Sequence, residues 1–505
     1  MFLLKSKTLY KLTRLFRFLP KNRLNSFATK IIPLSIVSGL IDIGVVAVSS
    51  RLAGSLVGKQ LKNFLPGIQV FNNSLEEQAI ILIFILVILS WLGSVSKLFR
   101  LIFIEKLTAS IWRDISNGIL LKITGQPYRY FLTTKTSSIS ARLLADMQGI
   151  SDSIIKPILL LLTSIIVIFS ISLALSFVLG IKAIILLFLL GIAFFILSSL
   201  IVPYLRIFSN QTIRLNSKMS LLLNQILFSI KDIHLTQSRK FFESKFIRVG
   251  EFAQRYRWKS RSLPDMPRIV IEPLAITFIF IAALIPFFIS SGSEKLAPNL
   301  IPFVATFIVS LVKLTPPLQD LFRSITTIRG GLPIIDAVLD YLELPSTNRG
   351  YNINKTFTPE GIFPRREISL RNVDYKYPGS DNYALKSISI NLPVGSRIAL
   401  MGPTGSGKST ISNILLAHLD PTSGHMNLDG EPLDDSDISS WQLCCSEVSQ
   451  NFTLIDANIL ENIAFGCTDD DVDLDRVWEA ISAAQMYDFI DDMPYGLYTY
   501  IGENG

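Results

Sequence analysis

The sequence predicts two unlike halves: a polytopic all-α membrane region of six spans and, behind a linker, an incomplete α/β domain in water. Three observations carry this reading. Of the 505 residues, 49% are hydrophobic and only 17% charged, where a soluble chain carries about a quarter charged. Long uncharged runs are confined to the first 312 residues. Near residue 366 the pattern changes from long helical runs to short strands.

A helix needs about 20 apolar residues to cross the hydrocarbon layer. Gln78–Ser96, Pro157–Ile181, Ala183–Leu205 and Pro273–Ser293 contain no charge, and Ile31–Ser50 qualifies apart from Asp42. Leu296–Val312 is shorter but abuts Lys313, whose stem can snorkel. Residues 28–330 thus form the membrane domain.

Lys and Arg placement sets the orientation. The first thirty residues hold eight bases and no acid, and residues 206–268 hold thirteen bases against four acids. The N-terminus and both long loops are therefore expected in the cytosol, and an even number of spans returns the C-terminal domain there. Residues 1–27 lack a clean apolar core or cleavage site and read as an amphipathic helix on the inner leaflet. The long loops read as membrane helices running on into the cytosol, reversing at Ser137–Asp146 and His234–Lys245.

Charge is uneven along the chain. Residues 411–505 hold one base, Arg476, against 19 acids, whereas residues 1–410 hold 47 bases against 21 acids. Anionic lipid suits the first part, bulk water the second, and no nucleic-acid partner is expected. Cys444, Cys445 and Cys467 lack metal-site spacing and read as free cytosolic thiols.

Residues 331–365 read as a linker, with Pro345–Arg365 rich in loop-forming residues, and residues 366–505 as the α/β domain. The stretches "EISLRNVDYKY", "LKSISINLP" and "RIALMG" read as strands. "GPTGSGKST", Gly402, Pro403, Thr404, Gly405, Ser406, Gly407, Lys408, Ser409 and Thr410, follows the last of these and opens a helical run. This is the phosphate-loop pattern. Small residues let backbone N–H groups curl round a phosphate at a helix N-terminus, Lys408 reaches the β- and γ-phosphates, and the Ser409 hydroxyl takes a place on Mg²⁺. A nucleoside triphosphate is the expected ligand.

Tyr377 lies 25 residues before Gly402, beside a turn, where its ring could stack on a purine; a packed strand-edge tyrosine is the plainer alternative. Gln450, 42 residues after Lys408, could complete the Mg²⁺ shell or hold the attacking water, or could be a solvated glutamine.

Six spans, a linker and this order of motifs resemble an ATP-binding cassette (ABC) half-transporter of the exporter type. The resemblance matches Tyr377 to the family's adenine-stacking aromatic, Gly402–Ser409 to its phosphate loop and Gln450 to its Q-loop glutamine. It implies MgATP as cofactor, Lys408 and Gln450 as catalytic residues, Ser409 and Gln450 as metal ligands, and a second half-transporter subunit, an identical chain by preference. "IGENG" at 501–505 resembles the stretch just before the family's signature motif. Signature, Walker B aspartate, catalytic glutamate and switch histidine are not found within these 505 residues, which reads as a cassette cut before its catalytic half, able to bind but not hydrolyse ATP.

Asp42, inside the first span, and Glu272, at the start of the fifth, are candidates for substrate contact, since acids in a membrane are costly. Interfacial placement is the alternative for Glu272. "IIPLSIVSGLIDIG", "LPDMPRIVIEPLAI" and "LVKLTPPLQDLFRSITTIRGGLP" are similar to flippases of lipid-linked oligosaccharides. The implied substrate is an amphipathic lipid, with membrane lipids as partners. A peptide or drug exporter and a non-transporting, membrane-anchored ATP-binding remnant remain alternatives.

Overall fold

The computed structural model describes residues 6–57, 75–134, 139, 143, 146–179, 181–266, 269–270, 273, 276–277, 297–345, 361–449 and 454–502. The chain divides into two compact units, Met1–Thr347 and Asn348–Gly505.

The first unit is helical: α1 (Ser6–Arg17), α2 (Ile32–Leu56), α3 (Leu75–Thr124), α4 (Lys156–Leu179), α5 (Ile181–Phe228), α6 (Arg239–Ser262), α7 (Ala297–Gly330) and α8 (Leu332–Leu342), with shorter helices between. Among the described residues, three helical stretches are long and apolar enough to cross a membrane: Lys21–Leu56, Glu76–Thr124 and Asp146–Leu173. The expected fifth span, with Glu272, lies almost wholly outside the described residues.

Helix α3 is 50 residues long and α5 is 48. At 1.5 Å per residue each measures about 70–75 Å, more than twice the hydrocarbon thickness of about 30 Å, so both continue beyond the membrane. The chain after α5 reverses through a short helix, Ile230–Leu235, and a turn with Gln237 at φ 52° before α6 begins. Helix α6 returns against α5, where Phe208 and Tyr256 meet at 6.0 Å and Lys259 covers Phe208 at 5.3 Å. The other expected reversal, Ser137–Asp146, falls mostly outside the described residues.

Residues 6–17, expected as an amphipathic helix, form α1, whose leucine face packs on protein. Leu12, Leu15 and Leu19 are buried with Ile335, Val338 and Leu342 of α8 and with an isoleucine stripe on α3, Ile111, Ile115, Ile119 and Ile123. Polar pairing fixes the choice: Lys11 Nζ lies 2.6 Å from Asp336, and Arg14 forks onto the Glu343 carboxylate. With its basic residues paired to Asp336 of α8 and to Glu343 just past its end, the helix turns its leucines inward. Three such buried leucines stabilise the contact by about 1.5–3 kcal/mol each before entropy is counted.

The same contact changes the reading of the linker. Residues 332–342, placed within 331–365, form α8 and belong to the first unit's core, because Ile334, Ile335, Val338, Leu339 and Leu342 recur at helical spacing. Lys122 and Gln126 then hold the carbonyls of Leu344 and Pro345, at 3.1 and 2.9 Å.

In the second unit, β1 (Glu367–Lys376), β2 (Tyr383–Pro393), β3 (Ser423–Leu428) and β4 (Glu431–Pro432) form an antiparallel sheet in the order β2-β1-β3-β4. Ile368 pairs with Leu392 on one side and Leu428 on the other. An Asp429–Gly430 turn joins β3 to β4, with φ 55° and 100°, the two-residue pair such hairpins favour. Helix α9 (Lys408–Leu415) packs on the sheet through Ile411 and Ile414, which join Leu370, Val373, Leu385 and Trp441 in the core. Farther on, α10 (Leu474–Ala483) packs beside the short pair β5 (Ala457–Asn458) and β6 (Tyr500–Ile501).

The expected strand "RIALMG" is the one departure in this unit. Residues 397–402 make no ladder among the described residues, and Ile398, Leu400 and Met401 are exposed. An apolar strand of that kind is stabilised by neighbours on both edges and cover on both faces. Residues 397–402 find no such neighbour among the described residues.

Candidate functional site

The phosphate loop is built by two glycines and a helix start. Gly405 and Gly407 take φ 85° and 93°, the left-handed region, which turns the chain sharply before α9. Gly407 is the N-terminal cap of α9, and a Cβ there would fall 2.6 Å from Leu385 Cδ2 and 3.0 Å from the Ala384 carbonyl of β2. Only glycine lets the loop seat this closely on β2. The first N–H groups of α9 are thereby left pointing out of the helix end, a ready anion site.

Lys408 folds back over this loop. Its Nζ donates to the carbonyls of Gly402 and Pro403, both at 2.8 Å, and remains exposed. Such bonds to neutral carbonyls are exchangeable for the stronger ones an ammonium makes with phosphate. Ser409 is the second residue of α9 and Thr410 the third, and Thr410 is buried.

Tyr377 follows directly on β1. Its hydroxyl lies 3.1 Å from Thr410 Oγ1, and its ring stands edge-on to Tyr375, centroids 4.9 Å apart at 87°. The sheet thus brings together two features 33 residues apart in sequence, the aromatic and the phosphate loop. The Thr410 contact had no signal in the sequence beyond hydroxyl chemistry at both positions. Gln450 lies outside the described residues, as does Glu272.

A glycine cradle that a Cβ would fill, an exposed ammonium above it and a helix N-terminus beneath fit a nucleotide's phosphates. Among the described residues no cluster of His, Cys, Asp and Glu could hold a metal by itself; the Ser409 hydroxyl at the cradle suits a cation shared with a phosphate. Cys444, Cys445 and Cys467 are free thiols, and burial pushes Cys445 up.

Comparison with known families bears on both units. A model of the ABC transporter transmembrane region matches residues 29–312, more than half of the chain, and a model of the ABC transporter nucleotide domain matches residues 385–499. The chain belongs to the ABC transporter family. ABC relatives named ATP-dependent lipid A-core flippase include one from Pectobacterium atrosepticum, 32% identical over 236 residues, covering 47% of this chain and 38% of the relative. Another, from Mannheimia succiniciproducens, is 26% identical over 386 residues, covering 75% of this chain and 63% of the relative. The chain therefore spans less than two thirds of either. A solved bacterial Atm1-family ABC exporter with ATP bound superposes at a TM-score of 0.74 with 19% identity, covering 96% of this chain and 80% of that one. That likeness establishes the exporter fold of this ABC chain: a helical membrane region followed by a nucleotide-binding domain.

The first unit holds the remaining candidate. Asp42, on α2, is completely buried and sits between Lys97 Nζ on α3 and Lys313 Nζ on α7, each 3.2 Å away. Sequence reading singled out the acid but missed its partners. The signal available was that a buried carboxylate needs a counter-charge, and that lysines stand at the ends of the second and sixth uncharged runs.

Proposed function

We propose that this ABC chain is a half-transporter that exports or flips an amphipathic lipid, a lipid-linked oligosaccharide or a similar glycolipid, by ATP-driven alternating access. The observation carrying the reading is the pairing of Tyr377 with a phosphate loop whose Lys408 stands exposed above a glycine cradle. The adenine stacks on Tyr377, the loop N–H groups and Lys408 hold the phosphates, and Ser409 and Gln450 ligate Mg²⁺. Bound magnesium neutralises phosphate charge. Two identical chains pair in the membrane, with the N-terminus and nucleotide unit in the cytosol. The relatives' shared printed name supports a lipid substrate.

In this reading Lys408, Ser409 and Gln450 form one side of a composite hydrolytic site. Ground-state binding is met by these groups, whereas turnover needs charge clamped from the opposite side as well.

Lys408→Ala should weaken ATP binding at least tenfold, the scale of one hydrogen bond to a charged group. Vesicles holding a chain extended through the signature motif should move a fluorescent lipid-linked saccharide between leaflets in MgATP but not with Lys408→Ala. Equal ATP affinity in both proteins would sink the nucleotide assignment. Stimulation of ATPase by peptides or drugs, and none by lipid-linked sugars, would favour the peptide or drug exporter.

A further inference from the structure

The first unit ends on an arm set at a crowded joint. Gly331 alone separates α7 from α8, and Pro333, which has no N–H, takes a donor out of the helical ladder as the chain enters α8. The Gly330 carbonyl accepts from Ser209 of α5 at 3.2 Å, and a Cβ on Gly331 would stand 2.8 Å from both Ile154 Cδ1 and Ser153 Cβ, just before α4. The joint therefore takes glycine by necessity, and glycine followed by proline is where a helix most readily changes direction. Helix α8 is the last helix before the second unit begins at Asn348. Its angle sets the point from which that unit is tethered.

The N-terminal segment holds this arm as a strap with a fixed root and a detachable tip. At the root, Arg23 Nε and Nη2 fork onto the Asp114 carboxylate of α3, at 2.7 and 3.2 Å, and Ile31 is buried in the core. A turn at Phe18 and Leu19, ending at Pro20, separates the root from α1. At the tip, Lys11 and Arg14 pair with Asp336 and Glu343, and these four side chains remain between 31% and 48% exposed. Water competes for such pairs, so each is weak and reversible. The root is thus built to stay and the tip to let go.

We infer that α1 is an autoinhibitory strap: docked on α8 it fixes the arm at one angle, and released at Pro20 it frees the arm to pivot at Gly330 and Gly331. The inference rests on the proposed ATP-driven cycle and adds a brake to it. A cycle of alternating access moves the arm that leads to the nucleotide unit, whereas Leu12, Leu15 and the two ion pairs oppose any change in its angle. Release leaves the leucine face of α1 uncovered only until it meets the inner leaflet, which covers an amphipathic basic helix as well as protein does. Undocking is therefore an exchange of covers, and the ion pairs decide its balance.

The test measures docking and turnover on the same set of proteins. Nitroxide labels at Thr13→Cys and Asp340→Cys, both exposed positions, in a chain lacking Cys444, Cys445 and Cys467 report the distance between α1 and α8 by double electron–electron resonance. A single narrow distance is expected in otherwise unaltered protein. Lys11→Glu/Arg14→Glu should raise the separated population about tenfold, since two attractions become repulsions, and adding Asp336→Lys/Glu343→Lys should restore the narrow distance. Basal ATP turnover by the chain extended through the signature motif should rise severalfold in the double variant and return in the fourfold one. The fourfold protein also shows that the double variant is not simply misfolded. An unchanged distance in the double variant, or turnover that is no faster once the strap is loose, would overturn the inference. ATP affinity measured on the same samples reports separately on the nucleotide reading, and the label distance needs neither ATP nor substrate, so failure of the strap and failure of the transport reading are distinguishable.

Discussion

Replacing Gly407 by alanine separates two physical effects in the phosphate loop, because Gly405 supplies an internal control. Both glycines are left-handed, at φ 93° and 85°. An L-residue held there loses about 1–2 kcal/mol. At Gly405 an added Cβ meets nothing within 4 Å, so the backbone effect stands alone. At Gly407 the Cβ also meets Leu385 Cδ2 at 2.6 Å and the Ala384 carbonyl at 3.0 Å. The leucine methyl can swing aside, but the carbonyl belongs to β2 and cannot, and overpacking of this kind adds about 1–3 kcal/mol. The chain escapes by letting the loop leave its cradle, so the binding-competent fraction falls and the apparent Kd rises in proportion. Gly405→Ala should raise the ATP Kd roughly 5- to 30-fold, and Gly407→Ala from about 30-fold to beyond a thousandfold. The assay is ATP binding by the purified chain, with Gly407→Ala/Leu385→Val as the third protein. Removing the leucine's outer methyls should recover part of the Gly407→Ala loss and none of a Gly405→Ala loss. Equal effects at the two glycines, or wild-type affinity in Gly407→Ala, would refute the idea that close seating on β2 shapes the loop.

Two further expectations concern stability and topology. Asp429 accepts from the backbone N–H groups of Arg365, Glu367 and Arg366, at 2.7, 3.0 and 2.6 Å, and these bonds hold its carboxyl below the usual range. Because the folded pKa is the depressed one, the stabilisation is complete above the ordinary carboxylate value of about 3.9 and is lost as pH falls through the folded value. Urea unfolding of the nucleotide unit, followed from neutral to acidic pH, should therefore be steeper in wild type than in Asp429→Asn, and identical profiles would remove Asp429 as the anchor. For topology, cysteines placed singly at Asn72 and Ser293 in a chain lacking Cys444, Cys445 and Cys467 should react with an impermeant thiol reagent from outside, and one at Thr236 only after permeabilisation. Labelling of Thr236 in intact cells would overturn the orientation.

Much was legible from local order. A run without charge such as Gln78–Ser96 is readable as a span because lipid imposes one rule on every residue of it, and α3 contains that run. "GPTGSGKST" was readable because a loop that wraps a phosphate needs small residues, a lysine and a hydroxyl at fixed spacing, all within nine positions. The strands "EISLRNVDYKY" and "LKSISINLP" also announced themselves, pairing as β1 and β2. "RIALMG" has the same apolar character, yet a strand is completed by neighbours, and residues 397–402 make no ladder among the described residues.

By itself, then, the sequence determined the class of the protein and the chemistry of its nucleotide loop, since both depend on residues within a helix length of one another. Tertiary structure decided where single residues act. Asp42 meets Lys97, 55 residues away, and Lys313 on a third helix. Lys11 meets Asp336, 325 residues away, and so ties the N-terminal helix to α8. Hydrophobic periodicity states that a face must be covered, but lipid and protein cover leucine equally well. What distinguishes them is the placement of a few opposite charges, and that is set only when distant helices pack.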